Sequence, residues 1–414
     1  MTHRVSRHTN RMTHRVSKYT NRMTHRLFIT TWLLCSLQML QAADVTITVS
    51  NTTDQQRQEV VAIDLQTVRQ RLAIGKDDAF VVRNAFGQEV DYQCTYDSLL
   101  LIDVAVKPED KAVFRISKGT PRQPRSYVQG AVYPLRKDDL AWENDRAAYR
   151  VYGPALQHSG ERSFGTDVWV KNTPDLVVAE RYRIDYEGNQ QEDSLRKAGK
   201  KDEARRIDLL TSFHLDHGNG MDAYGVGPTL GCGAPALMKD GQLVFPYCYQ
   251  TCRILDNGPL RFTAELDYGA NADGQTEHRR IVLDKGSHFS RITVWYDSIA
   301  RPVSFATGVV LHDHRLPLLG SDYVAYTDPT DNPTRHHSQI YVGVLFPDGA
   351  NRTAVLEGSH SHAVGIIDNY SGQSLTYYAG AAWSSYDVPN EAHWLLCIDD
   401  LRNQLRNPLA VDIR

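Results

Sequence analysis

The sequence predicts an all-β protein: a small N-terminal β-sandwich over residues 44–120 followed by a large antiparallel β-supersandwich over residues 127–414. Three observations carry this. Apolar and polar residues alternate in short runs: Val45, Ile47, Val49; Ala112, Phe114, Ile116; Tyr182, Ile184, Tyr186; Phe262, Ala264, Leu266, Tyr268; and Ile292, Val294, Tyr296. Such a period of two puts one face of a strand on a core and the other in water. Helical periodicity is scarce, and SKGTPRQPRS, Ser117 to Ser126, breaks the pattern with one Gly and two Pro between two strand-rich regions.

Along the chain, residues 1–33 hold three near-copies of one unit, beginning at Met1, Met12 and Met23. The third copy leads into an apolar stretch from Leu27 to Leu40, then Gln41, Ala42, Ala43 and Asp44. A basic, then apolar, then small-residue order is that of a secretory signal, so residues 1–43 are expected to be a duplicated leader and signal peptide and the protein to reach the periplasm or the medium. The large residues before Cys35 argue against a lipoprotein anchor. Two helices are expected, an exposed one over Gln191 to Asp208 and one over about Ile398 to Leu405.

The whole chain carries a formal charge of −3; residues 1–43 hold seven basic and no acidic side chains, leaving −10 without them. An acidic protein is a poor match to a phosphate backbone, which excludes nucleic acid as partner. No nucleotide-binding glycine pattern and no serine-hydrolase elbow is present. Five cysteines follow the leader: Cys94, Cys232, Cys248, Cys252 and Cys397. Cys232 either pairs with Cys248 or Cys252 or remains a buried thiol.

Chemistry concentrates in two runs. In WENDRAAYRVYGPAL, from Trp142, Asn144 and Asp145 are expected to close a turn, after which Arg150 and Tyr152 share one face of a strand; Asn144, Arg146 and Arg150 are candidates for holding a carboxylate, and Tyr152 for moving a proton. In HLDHGNGMDAYGVGPTLG, from His214, the expectation is a strand end carrying His214 beside Asp216, followed by His217 in a glycine turn and then Asp222 and Tyr224. A histidine oriented by an acid is a good general base. His312 and His314 are expected on one strand face, His312 facing substrate, and His360 and His362 in an exposed loop. YTDPTDNP, Tyr326 to Pro333, reads as turns whose carboxylates are a weak calcium match; no metal is assigned. Tyr377, Tyr378, Trp383, Tyr386 and Trp394 are late aromatics, with Trp383 a candidate stacking face for a sugar.

These two runs, together with DVWVKNTPDLVVAERY from Asp167, DNGPLRF from Asp256, YTDPTDNP and LRNPL from Leu405, resemble the domain-of-unknown-function 4861 family over essentially the whole chain after the leader. The resemblance implies a main domain similar to mutarotase-like and polysaccharide-lyase supersandwiches, and a setting among enzymes that dismantle uronic-acid polysaccharides such as pectin or ulvan. An oligosaccharide substrate follows, with β-elimination by a carbon–oxygen lyase or dehydratase as the expected reaction. In that scheme His214 or His217 is the base, oriented by Asp216, Tyr152 or Tyr224 the acid, and Asn144, Arg146, Arg150, Asp222, His312 and Trp383 hold substrate. Glycoside hydrolysis through two of Glu143, Asp145, Asp216 and Asp222, or sugar binding without catalysis, are the alternatives.

Overall fold

A computed structural model describes residues 44–245, 247–331 and 338–414; the leader, and Asn332 and Pro333 of the turn tract, lie outside them. The protein is all-β, built of antiparallel sheets with few helices. An eight-stranded sheet runs in the order Tyr249–Asn257, Arg261–Tyr268, Thr276–Asp284, Phe289–Asp297, Leu375–Trp383, Ile340–Leu345, Tyr323–Asp328, Leu318–Leu319. A five-stranded sheet, centred on Val303–Leu311 and Ser361–Tyr370, covers it. Phe305 and Val309 from the second meet Ile292, Val294 and Tyr377 from the first in one continuous core. Alternation puts these side chains on the facing surfaces, and their burial drives the two sheets together.

The N-terminal unit pairs a sheet containing Val45–Ser50, Lys111–Lys118 and Phe80–Asn84 with a sheet of Arg57–Asp64, Leu99–Val106 and Tyr92–Cys94. Helix α1, Leu65–Leu72, closes its core with Leu65, Val68 and Leu72, and Asp64 caps it by accepting the Thr67 N–H. The last strand of the chain, Ala410–Ile413, pairs with Val45–Ser50. That strand was expected in the larger unit; its edge pairing instead ties the chain's end to the small sandwich.

A four-stranded meander carries the site: Gln129–Tyr133, Asp139–Glu143, Ala148–Val151 and Asp167–Trp169. After the short α2, Pro154–His158, and the strand at Asp167, the chain enters two helices, α3 (Val178–Lys197) and α4 (Lys201–Thr211). The alternation of Tyr182, Ile184 and Tyr186 therefore lies on a helix, not a strand. Two influences override it. Glu143, on the meander, accepts the Val177 and Val178 N–H groups at 2.9 and 2.8 Å, putting a carboxylate on the helix N-terminus. Arg183 pairs with Glu180 and Glu187 at helical spacing. Gly199, with φ 76°, makes the turn into α4. The last helix, α5 (Glu391–Arg406), starts well before the expected Ile398 because Asn390 caps it through the His393 N–H. Trp394 of α5 stacks on Phe289 with ring centroids 4.9 Å apart.

Candidate functional site

The second chemical run lies against the meander. Isolated bridges join Val170 to Met221 and Thr166 to Gly231, so the segment between α4 and Cys232 runs along the Asp167 strand. His214 to Gly220 is a series of turns rather than the expected strand end. Arg181 of α3 fixes them, donating to Asn219 Oδ1 at 2.9 Å and to the Ser212 and Leu215 carbonyls at 3.0 and 2.7 Å. Beyond the turns, Asp222, Tyr224 and Val226 are buried while Ala223 and Gly225 are half-exposed, so Asp222 and Tyr224 face one way.

Arg150 and Tyr152 do come together, with the guanidinium 5.1 Å from the centre of the phenol ring. Arg150 is not free to clamp a substrate. Its Nη2 donates to Asp167 and, at 2.8 Å, to Asp222, while Asp139 lies 3.9 Å from Nε; all four residues are buried. Burial opposes the Arg150 charge, but Asp167 and Asp222 outweigh it and raise its pKa well above the usual value. Three carboxyls around one guanidinium leave excess negative potential. Burial, only partly offset by Arg150, pushes Asp139 up to about 6 and raises Asp222 further from the carboxylate range. Tyr152 donates to Asp167 Oδ2 at 3.2 Å, and burial and that carboxylate raise its pKa well above 10.

His214 is the open member of this group. Its Nδ1 lies 2.9 Å from the Asp222 carbonyl, which selects the Nδ1–H tautomer and leaves the Nε2 lone pair facing water; 60% of the side chain is exposed. Asp216 does not orient it: Asp216 Oδ1 accepts the Gly218 and Gly220 N–H groups and so shapes the turn. His217 Nε2 is tied to the Ser212 carbonyl at 3.0 Å, also within the turn.

Tyr224 reaches the other end of the group. Its ring meets His312 edge-on at 5.4 Å, it is 5% exposed, and its hydroxyl has no hydrogen-bond partner among the described residues. Burial, with Asp328 next, keeps that phenol protonated. His312 lies just past the end of the strand Val303–Leu311 rather than on it, and His314 is exposed in the bend that follows, so the two do not share a strand face. Its Nδ1 is 2.6 Å from Asp328 Oδ2, and its Nε2 packs against Gly225, where a Cβ would come within 3.2 Å. Burial would depress the imidazole, yet the Asp328 hydrogen bond and charge, with the Gly225 backbone, raise it above 6.5.

Three of the remaining expected residues have structural work instead. Asn144 is fully buried, donating to the Asp284 and Ser287 carbonyls at 2.7 Å each and closing its turn through the Arg146 and Ala147 N–H groups. Trp383 is 3% exposed and donates to Asp331 at 2.7 Å, which leaves no face for a sugar. Arg146 lies elsewhere, paired with Asp387 at 2.6 Å on the wall of a separate cavity. His362 is on the strand Ser361–Tyr370, not in an exposed loop; it is buried and accepts the Leu230 N–H at 3.2 Å. All five cysteines are free, so Cys232 forms no bridge. Among the described residues, no three His, Cys, Asp or Glu side chains are grouped to hold a metal ion. Nor is any described helix long and apolar enough to cross a membrane.

Sequence reasoning missed Asp139, Asp167, Arg181 and Asp328 as parts of the site. Asp167 and Asp328 stand in DVWVKN and YTDPT, runs marked for their density but not for a partner. Their partners are 17 residues away at Arg150 and 16 residues away at His312; strand pairing makes the first two neighbours, and the packing of the five-stranded sheet on the eight-stranded sheet the second two.

Comparison with known proteins places the chain. "Uncharacterized protein P7" of Formosa agariphila is 26% identical over 339 residues, covering 76% of this chain and 78% of that protein. Two solved structures from Enterococcus faecalis overlie 95% of the chain at 10% identity: an alpha-mannosidase (TM-score 0.45) and a protein in glycosyl hydrolase family 38 (TM-score 0.49). The chain spans about half the length of each, 49% and 50%. The family described as "Domain of unknown function (DUF4861)" matches residues 49–411, and this protein belongs to it.

Proposed function

We propose that the protein is a carbohydrate-active enzyme that performs β-elimination on a uronic acid residue at the end of an oligosaccharide, as a lyase or a dehydratase. The observation that carries this reading is the buried, unpartnered Tyr224 hydroxyl set against an imidazole that Asp328 holds towards its charged form. An orphaned buried donor is costly, and one beside a cation suits an anionic substrate that supplies its missing partner.

Elimination needs three things: neutralisation of the carboxylate, removal of the proton at C5, and a proton for the oxygen leaving C4. His312 supplies the positive charge that faces the carboxylate, since the charge of Arg150 is already taken up by Asp167 and Asp222. Tyr224 donates to the leaving oxygen as the C4–O bond breaks. His214 Nε2 accepts the C5 proton, and the electrons of the C5–H bond form the C4–C5 double bond. Two residues of extended backbone separate Asp222, which holds His214, from Tyr224; that is about 7 Å, a span suited to one sugar ring. Proton return from His214 to the Tyr224 phenolate, through solvent, resets the enzyme.

Hydrolysis by two carboxylates fits less well, because each carboxyl it would use is engaged. Glu143 holds Lys171 and the α3 terminus, Asp145 accepts the Gly286 N–H, Asp216 shapes a turn, and Asp222 is bound to Arg150. Secretion, with pectin- or ulvan-type oligosaccharides as substrate, is part of this proposal and rests on the leader and on the family resemblance. Mass spectrometry after incubation with such oligosaccharides tests the reaction. A product lighter by one water, or a chain cleaved with an unsaturated end, supports elimination; saturated products with new reducing ends contradict it, and binding without turnover leaves a sugar-binding protein.

A further inference from the structure

A second concave site lies away from Tyr224. A cavity of about 660 Å³ sits where the N-terminal sandwich, the eight-stranded sheet and α5 meet, within the size range of small-ligand pockets. Its charges are mostly paired: Arg261 grips Asp284 through two hydrogen bonds of 2.6 and 2.8 Å, and Asp387 takes both Arg146 and, at 3.1 Å, His288. Three guanidinium groups keep capacity among the described residues: Arg146, whose Nε has no hydrogen-bond partner, Arg291 and Arg57. Arg291 is exposed and makes no side-chain hydrogen bond or ion pair among the described residues. Arg57 is 3% exposed, engaged through both terminal nitrogens by Asn407 and Glu59, yet its Nε has no partner among the described residues. Arg291 stands directly opposite Tyr378 on the neighbouring strand, and the half-exposed phenol ring lines the same wall. Side chains so paired are about 5 Å apart at Cβ. A flat ring beside an uncommitted guanidinium matches a pyranose bearing a carboxylate.

We propose that this cavity is a second saccharide site, taking one acidic sugar residue with its ring over Tyr378 and its carboxylate at Arg291, Arg57 Nε bonding a ring substituent. It takes its ligand class from the proposed function but not its chemistry. A chain seated here and at Tyr224 in turn would be held near the protein between turnovers, raising its effective concentration.

Titration calorimetry with a saturated uronate trisaccharide tests this, using Tyr224→Phe protein so that nothing is consumed. Expected are two classes of binding site, one of which weakens roughly tenfold or more in Arg291→Gln, the scale of a lost charged hydrogen bond, and less in Arg291→Lys. Tyr378→Ala should weaken the same class. Affinities unchanged by Arg291→Gln, in protein whose circular dichroism is native, overturn the proposal, as does a single class of site that Arg291→Gln leaves intact. Elimination is followed separately in otherwise native protein: absence of turnover with retained Arg291-dependent binding sinks the proposed reaction alone, and turnover that survives Arg291→Gln without any Arg291-dependent binding sinks the second site alone.

Discussion

Arg150 and Asp222 form an ion pair of 2.8 Å inside the protein, with side-chain exposures of 6% and 2%. Asp167 shares the same Nη2, so the guanidinium links the meander to the segment that bears His214 and Tyr224. Removing one partner of such a pair strands the others without water. Arg150→Met should therefore cost about 3–5 kcal/mol of stability, read as a lower denaturant midpoint. Arg150→Lys should recover little of it, since a single ammonium cannot reproduce the fork. A variant of wild-type stability that fails only to bind uronate would return Arg150 to the role of substrate clamp.

Tyr224→Phe removes a hydroxyl that bonds nothing among the described residues. Its stability should be no lower than the parent's and rise by up to about 1–3 kcal/mol as the orphaned hydroxyl goes, while kcat falls by roughly 10²–10⁴, the usual worth of a general acid. Thermal melts beside steady-state kinetics check both halves. Tyr152→Phe should behave differently, losing stability because it deletes the bond to Asp167.

His312 and His362 make opposite contributions to the pH dependence of stability. The folded pKa of His312 is raised by Asp328 and Gly225 against burial, so its stabilisation is complete below the unfolded value of about 6.5 and fades as pH rises through the folded value. Asp313 adds to that raise, and no charge from His362 opposes it where His362 is neutral. His362 is depressed to about 4 by burial, against a hydrogen bond to the His360 backbone that raises it, while the charges of His360 and His312 add to the fall. The unfolded chain then binds the extra proton between about 6.5 and 4, so stability is lost as pH is lowered through that window, by roughly 3 kcal/mol in all. Urea midpoints from pH 4 to 8 should show the acid loss shrink in His362→Gln and the alkaline loss shrink in His312→Gln.

On the proposed mechanism, the raised His312 imidazole makes substrate binding depend on pH. If its charge holds the substrate carboxylate, KM should rise as pH climbs through the His312 pKa, and Asp328→Asn should move that rise to lower pH by removing the charge that sustains the imidazolium. A pH profile of KM and kcat, in both proteins, separates this from a base role, which would instead make kcat fall on the acid side.

Much of the sheet structure was legible because strands such as Val45–Ser50 and Phe289–Asp297 alternate cleanly and both sheets are covered on one face. Tyr182, Ile184 and Tyr186 misled because three alternating apolar residues say nothing of Glu143, which caps α3 from a different element. The site was legible as two dense runs, and Arg150, Tyr152, Asp222 and Tyr224 do converge. What was hidden is which polar atoms were already spent. Asn144 and Asp216 look like ligands in sequence and are turn-builders in three dimensions, while Asp167 and Asp328 look ordinary and set the charge state of Arg150 and His312. Pairings made across strands carry no local signature. His362 shows the same limit, since its burial comes from the strand Arg352–Leu356 and the loop at Leu230 packing around it.

The most direct test of the central claim is the ultraviolet absorbance of an unsaturated uronate during incubation of residues 44–414 with uronate oligosaccharides. Elimination through His214 and Tyr224 should give a rising signal that is nearly abolished in Tyr224→Phe and in His214→Ala, with both variants folded. Full activity in either variant, or new reducing ends without any absorbance, would contradict it.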